Sequence, residues 1–199
     1  MVETMPNFYN SIKAKKFSTV ADAAVEISPY DSATPNFRID AGGKLNWSSG
    51  SAVADTNLYR TSANTLKTDD SLVVAGTVDV QQVREKLTDT TVSTNVMTCD
   101  FSTGAIFYNT TSLAANFTAN ITNAPTDDGY AITVTIVVNQ GASAYYPNAI
   151  QIAGSSQTIK WPNGNTAPTP TANKIDVFTF TLLRRGSSWT VLGSYSLNY

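Results

Sequence analysis

The sequence predicts a mainly β protein, and three observations carry that prediction: a composition of short uncharged polar residues, strict two-residue alternation of apolar side chains, and turn residues at intervals of about ten. Thr, Ser and Asn make up about a third of the 199 residues, and charged residues only 14%, against roughly 25% in an average soluble domain. Thr packs well on a pleated sheet while staying hydrated, and Asn and Ser close turns through their own side-chain hydrogen bonds. A hydrophobic content of 42% sets the chain apart from a disordered polar tract.

Four regions follow. Residues 1–42 show no sustained period. A short helix over Thr19 to Ile27 is compatible with the stretch from Ala21 to Val25, and Pro29 and Pro35 stop anything longer. Phe8, Tyr9, Phe17, Tyr30 and Phe37 are many aromatics for a solvated tail, so the region reads as an extended arm that lies on another protein; the alternative is a mobile tail.

Residues 43–80 read as a short β shaft. Leu72, Val74, Gly76, Val78 and Val80 alternate with Val73, Ala75, Thr77 and Asp79, the pattern of a strand with one buried face. Before it, Leu58 and Leu66 stand between turn-rich runs. Fewer than 40 residues with so few large apolar side chains cannot offset a backbone ordering cost of ~1–2 kcal/mol per residue. Threefold association removes the difficulty, because copies wound about one axis bury Leu58, Leu66, Leu72, Val74, Val78 and Val80 against their mates. The alternative is an edge hairpin packed on the C-terminal domain.

Residues 81–91 form the expected junction. Val80, Val83 and Leu87 recur at helical spacing in VQQVREKLT, which predicts a short helix. Two turns are unstable alone, so the segment reads as a linker or as a three-helix collar, in which Val83 and Leu87 continue the trimer core.

Residues 92–199 predict an antiparallel, jelly-roll-like β-sandwich head, with strands over Val96–Asp100, Ala105–Asn109, Asn116–Asn123, Tyr130–Asn139, Ala149–Ala153, Thr158–Trp161, Lys174–Arg184 and Ser188–Ser194. Asp127-Asp128-Gly129 and Arg185-Gly186-Ser187 are the clearest hairpin turns. Phe178, Phe180 and Leu182 share one face of their strand, while Val177 and Leu183 flank Thr on the other, which implies a second cover.

The chemistry narrows the function. The chain has no histidine, which removes Ser-His-Asp and Cys-His arrangements and the commonest zinc ligand. A phosphate-cradling glycine loop is absent, and so is a calcium-loop spacing of carboxylates. Asp69-Asp70 and Asp127-Asp128 are adjacent pairs in turns, whose side chains diverge, unlike the paired carboxylates of a glycosidase. Neither catalysis nor a cofactor is expected. The 13 basic residues are scattered apart from Lys13, Lys15 and Lys16, and the net charge is −2, so nucleic acid is not an expected partner; no stretch approaches the ~20 apolar residues of a membrane helix, so neither is a membrane. The lone cysteine, Cys99, fits folding in a reducing cytoplasm. Four N-x-S/T triplets, at Asn46, Asn109, Asn116 and Asn120, reflect the abundance of Asn and Thr.

The best binding candidates are Tyr145, Tyr146, Asn148, Trp161, Asn163 and Asn165, in or near the loops GASAYYPN and KWPNGNTAPTPTAN. Sugars stack on exposed aromatic faces and take Asn amides on their hydroxyls, so these loops are a candidate contact for a host surface glycan. The alternative is that the aromatics pin long loops to the sandwich.

Two blocks of sequence resemble known proteins. GKLNW followed by DTNLYRTSANTLKTDDSLVVAGTV, Gly43 to Val78, resembles a shaft-entry module, and DFSTGAIFYNTT, ANFTANITN, VVNQGASAYYPNAIQI, TIKWPNG and FTFTLLRRGSSWTVLGS, Asp100 to Ser194, resemble a fibre head. Together, over about two-thirds of the chain, they resemble tail-fibre and virion structural proteins of tailed bacteriophages, particularly those of marine cyanobacteria. The resemblance implies a homotrimer, made in the host cytoplasm, assembled into a virion and without catalysis, on a tail, neck or capsid. Barely one shaft repeat favours a neck or capsid appendage over a long receptor-reaching fibre.

Overall fold

The structure, a computed structural model, describes residues 18–28 and 34–199. The chain divides into two compact units, 1–79 and 80–199, and is mainly β in both.

The first unit holds one five-stranded antiparallel meander in chain order: β1 (Ala23–Ile27), β2 (Phe37–Asp40), β3 (Leu45–Trp47), β4 (Thr56–Ser62) and β5 (Thr65–Lys67). The helix expected over Thr19 to Ile27 is not there. Ala23–Ile27 pairs with β2 instead, Ile27 opposite Phe37 and Ala23 opposite Asp40. A helix this short has no packed face to hold it, whereas a strand beside β2 satisfies its backbone in a ladder. The boundary expected after residue 42 falls inside the β2–β3 hairpin, where Asp40 N–H donates to the Lys44 carbonyl at 2.9 Å. Phe37 is thus a strand residue of this sheet, half-buried against Trp47 with ring centroids 5.5 Å apart.

The alternating run from Leu72 to Val80 forms no strand: residues 71–86 carry neither strand nor helix, and all of them are exposed. A strand needs a neighbour for its N–H and C=O groups, and none among the described residues pairs with this run. The helical collar is absent for a related reason. Val80, Val83 and Leu87 have the spacing of a helix face but nothing to pack it against. Leu87 begins a strand instead, β6 (Leu87–Thr90).

The second unit is a two-sheet sandwich. Its further strands are β7 (Val92–Ser93), β8 (Val96–Asp100), β9 (Ile106–Asn109), β10 (Phe117–Thr122), β11 (Ala131–Asn139), β12 (Pro147–Ile152), β13 (Ser155–Gln157), β14 (Ile159–Lys160), β15 (Ile175–Arg185) and β16 (Ser188–Ser196). The smaller sheet has the order β13-β12-β10-β8-β7 and the larger β14-β16-β15-β11-β9-β6. The eight strands expected for the head all form, within two residues at most ends.

The pairing differs from the antiparallel jelly roll expected. β8, β10 and β12 are mutually parallel neighbours, as are β6, β9 and β11, and β14 runs parallel to β16. From β8 to β12 the chain crosses to the other sheet at each successive strand, so successive strands within one sheet point the same way. Asp127-Asp128-Gly129 therefore lies in a crossover from β10 to β11 in the opposite sheet rather than in a hairpin. Only the long β15–β16 pair closes as expected, Arg185 opposite Ser188, with Gly186 and Ser187 at φ +57° and +61°. Two successive positive φ values match the right-handed twist of the flanking strands.

The core lies between the sheets. Phe117, Ala119 and Ile121 from the smaller sheet and Val134, Ile136, Val138, Phe178, Phe180 and Leu182 from the larger are buried in one cluster. Thr118, Asn120 and Thr122 alternate outward with the first set. This two-residue period fixes the register, because a slip of one residue would turn every core side chain to water.

Candidate functional site

The residues expected to form a trimer core share one property in the single chain: almost all are exposed. Leu66 is 68% exposed, Leu72 81%, Val74 46%, Val78 60%, Val80 53%, Val83 72% and Leu87 55%; Leu58 alone is half-buried, on β4 opposite Leu45. Val73, at 89%, is more exposed than any of them. Single exposed apolar residues are ordinary, but consecutive ones in a backbone without ladder partners form an uncovered surface.

Next to this run, the first unit carries a charged cluster built on β4 and β5. Lys44 and Lys67 lie over the Tyr59 ring, 5.0 and 5.6 Å from its centroid. The Tyr59 hydroxyl donates to Asp69 Oδ1 at 3.0 Å, and Lys67 Nζ meets the same oxygen at 2.6 Å. The Lys67 hydrogen bond, then that of Tyr59, holds the Asp69 carboxyl below the usual carboxylate range, and Asp69 in turn raises Lys67. Asp70 accepts from the Asn57 N–H at 2.8 Å. Both carboxylates of this pair thus shape the turn after β5, as expected of turn formers.

The arm residues Phe8, Tyr9, Phe17 and Tyr30 lie outside the described residues; Phe37 packs within its own sheet, as above.

The candidate glycan residues divide between two places. Tyr145 and Tyr146 precede β12 in the smaller sheet, and Trp161, Asn163 and Asn165 follow β14 at the edge of the larger. Trp161 packs inward, its ring centroid 5.8 Å from those of Phe180 and Tyr195. It lies over Gly193, where a Cβ would stand 2.6 Å from the indole. Asn165 Oδ1 accepts from the Trp161 N–H at 2.8 Å, and Asn163, Gly164 and Asn165 all take left-handed φ values. Asn148 and Asn163 are exposed, whereas Tyr145, Tyr146 and Trp161 are half-buried.

The Tyr145 loop is held by a pair of residues that the sequence reading passed over. Gln140 bonds both backbone groups of Tyr145, its Nε2 donating to the carbonyl at 2.7 Å and its Oε1 accepting from the N–H at 2.9 Å. Gln140 Nε2 also donates to Asp176 Oδ2 at 2.8 Å, and the Asn198 N–H donates to Asp176 Oδ1 at 2.9 Å. Asp176 is completely buried. The signal was present, since Asp176 stands in the inward row with Phe178, Phe180 and Leu182, where a carboxylate must find donors.

Cys99 is fully buried, and burial pushes its thiol up to about 12, which makes it an inert core residue. Among the described residues no group of three or more His, Cys, Asp or Glu is placed to hold a metal ion, and no helix is long and apolar enough to cross a membrane. No family model matches the chain, and neither a curated protein nor a solved structure matches it.

Proposed function

We propose that this chain is a non-enzymatic structural subunit of a bacteriophage particle, a short homotrimeric fibre set on a tail, neck or capsid. The observation that carries the reading is the exposed apolar run from Leu72 to Leu87, which alternates like a strand over its first half and has no ladder partner among the described residues. A threefold arrangement supplies neighbours for the backbone and cover for the side chains together. Burying one Val or Leu side chain fully is worth about 1.5–3 kcal/mol, and each buried position recurs in all three copies. The resemblance of the shaft and head blocks to phage fibre proteins supplies the virion context.

In this reading the N-terminal residues contact other virion proteins and the sandwich is the outward head. Because β1 and β2 belong to the sheet of the first unit, the docking segment is narrowed to the residues before β1. Deleting residues 1–17 should leave a soluble trimer that no longer joins particles. The solution mass decides the central point: about three times 21.3 kDa is expected, and a mass of one chain overturns the proposal.

Recognition of a host surface glycan by the head is the second reading, favoured by the exposed amides of Asn148 and Asn163 beside half-buried aromatics. A glycan array separates it from a purely architectural role, which predicts no selective binding.

A further inference from the structure

The two outward faces of the sandwich differ in chemistry. On the smaller sheet, the register aligns Thr98, Asn120, Gln151 and Ser156 in one outward row across four strands, all polar and uncharged, and Ser93, Val96, Thr118 and Ala149 in the next, where only Val96 and Ala149 are apolar. On the larger sheet, the corresponding rows run Leu87, Ile106, Thr135, Thr179, Ser194 and Asp89, Tyr108, Val137, Val177, Ser196. Their parity is outward, since Phe107, Ile136 and Phe178, which alternate with them, are buried in the core. An outer sheet face in contact with water is normally polar. Here Leu87, Ile106, Tyr108, Val137 and Val177 make adjacent apolar positions over four neighbouring strands.

We infer that the outer face of the larger sheet, centred on Ile106, Tyr108, Val137 and Val177, is where the heads pack against each other around the threefold axis, so that the occupant of this face is a second copy of this chain. This rests on the trimer reading above. Three observations select a copy of the chain. The two rows carry no Lys or Arg and one carboxylate, Asp89 on the edge strand, so identical faces meet almost without like-charge repulsion. Leu87 belongs both to the face and to the exposed run assigned to self-association, which makes the two surfaces continuous along the chain. Two rows over five strands ~4.8 Å apart, with residues rising ~3.3 Å, give a face on the order of 300 Å². That is a part of the ~800 Å² per partner of a stable interface, and the shaft run, continuous with it through Leu87, supplies the rest. A Tyr among uncharged aliphatic residues is also the composition of an interface centre.

The experiment uses the full-length chain with one cysteine placed on each outer face at matched half-buried positions, Thr135→Cys on the larger sheet and Gln151→Cys on the smaller. Cys99 is buried and serves as the silent background. Maleimide labelling at a concentration where the mass is that of a trimer should be at least tenfold slower at position 135 than at 151. Labelling at equal rates overturns the inference while the trimer stands. A second measurement uses Val137→Lys and Val177→Lys against Gln151→Lys, with circular dichroism to confirm the fold. The first two should shift the trimer toward single chains at least tenfold in concentration and the third should not; folded lysine variants that associate like the parent also overturn it. A parent chain that is monomeric at every concentration overturns the trimer reading itself and this face with it.

Discussion

Residues 80–199 enclose sixteen buried hydrophobic residues between two sheets, whereas the described part of residues 1–79 is one sheet in which only Asp40, Asn46 and Gly50 are buried. Both units have the same composition bias and the same strand-and-turn grammar. They differ in what lies opposite the sheet. In the second unit each inward row faces another inward row, so Phe117 and Phe180 each lose essentially all their contact with water. In the first unit the half-buried Phe37 against the exposed Trp47, and the Tyr59 cluster, cover a sheet that has no second layer among the described residues of that unit. A β unit is self-sufficient when its alternation is answered by a second face, and dependent on neighbours when it is not.

The contrast breaks or sharpens in order of effect. A fragment of residues 80–199 should unfold cooperatively on its own, and Phe180→Ala in it should cost about 3–5 kcal/mol by denaturant titration. A fragment of residues 1–79 should gain its sheet signal only as its concentration rises. Cooperative, concentration-independent unfolding of that fragment would erase the difference between the units. A smaller loss is expected from Gly193→Ala, whose methyl meets the Trp161 ring; overpacking of this kind costs about 1–3 kcal/mol. Trp161→Leu in the same chain should recover part of it, a coupling that a double-mutant cycle reads directly.

The smallest effect lies in the first unit and is a matter of pH. Asp69 is lowered, so its contribution is complete above the ordinary carboxylate value of ~3.9 and fades as pH falls through its lower folded value. Lys67 is raised, so its contribution is complete below the ordinary ~10.4 and fades as pH rises through its higher folded value. Side-chain NMR titration should show both displacements, and Asp69→Asn should return Lys67 toward its ordinary value. If Lys67 does not move, the Tyr59 ring rather than the carboxylate holds it.

The strands of the second unit were legible because alternation records burial. Phe117, Ala119 and Ile121 are spaced by two for the same reason that they touch the core. Alternation says nothing about the direction of a neighbouring strand, so the parallel order of β8, β10 and β12 was not there to be read. The spacing of Val80, Val83 and Leu87 is compatible with a helix, but helix formation needs a partner for that face, and partners are not written in local spacing. The same limit applied to Leu72–Val80, whose pattern is that of a strand and which has no ladder neighbour among the described residues. Asp176 was visible as a carboxylate in an apolar row; Gln140, thirty-six residues away, could be joined to it only by the fold.

The order of strands in the larger sheet also sets a clock. β14 has β16 as its only neighbour in the sheet, and β16 comes after it in the chain, beyond the whole length of β15. At synthesis rates of about 5–20 residues per second, β14 and Trp161 emerge seconds before the surface that receives them exists. Until the β15–β16 hairpin slides between β11 and β14, the core stands open along Val134, Ile136 and Val138, and the indole has neither Phe180 nor Tyr195 to rest on. Closing the larger sheet therefore requires the C-terminal β15–β16 hairpin, which completes the core and the packing of the tryptophan together. A chain stalled before it would present its widest apolar edge to other chains.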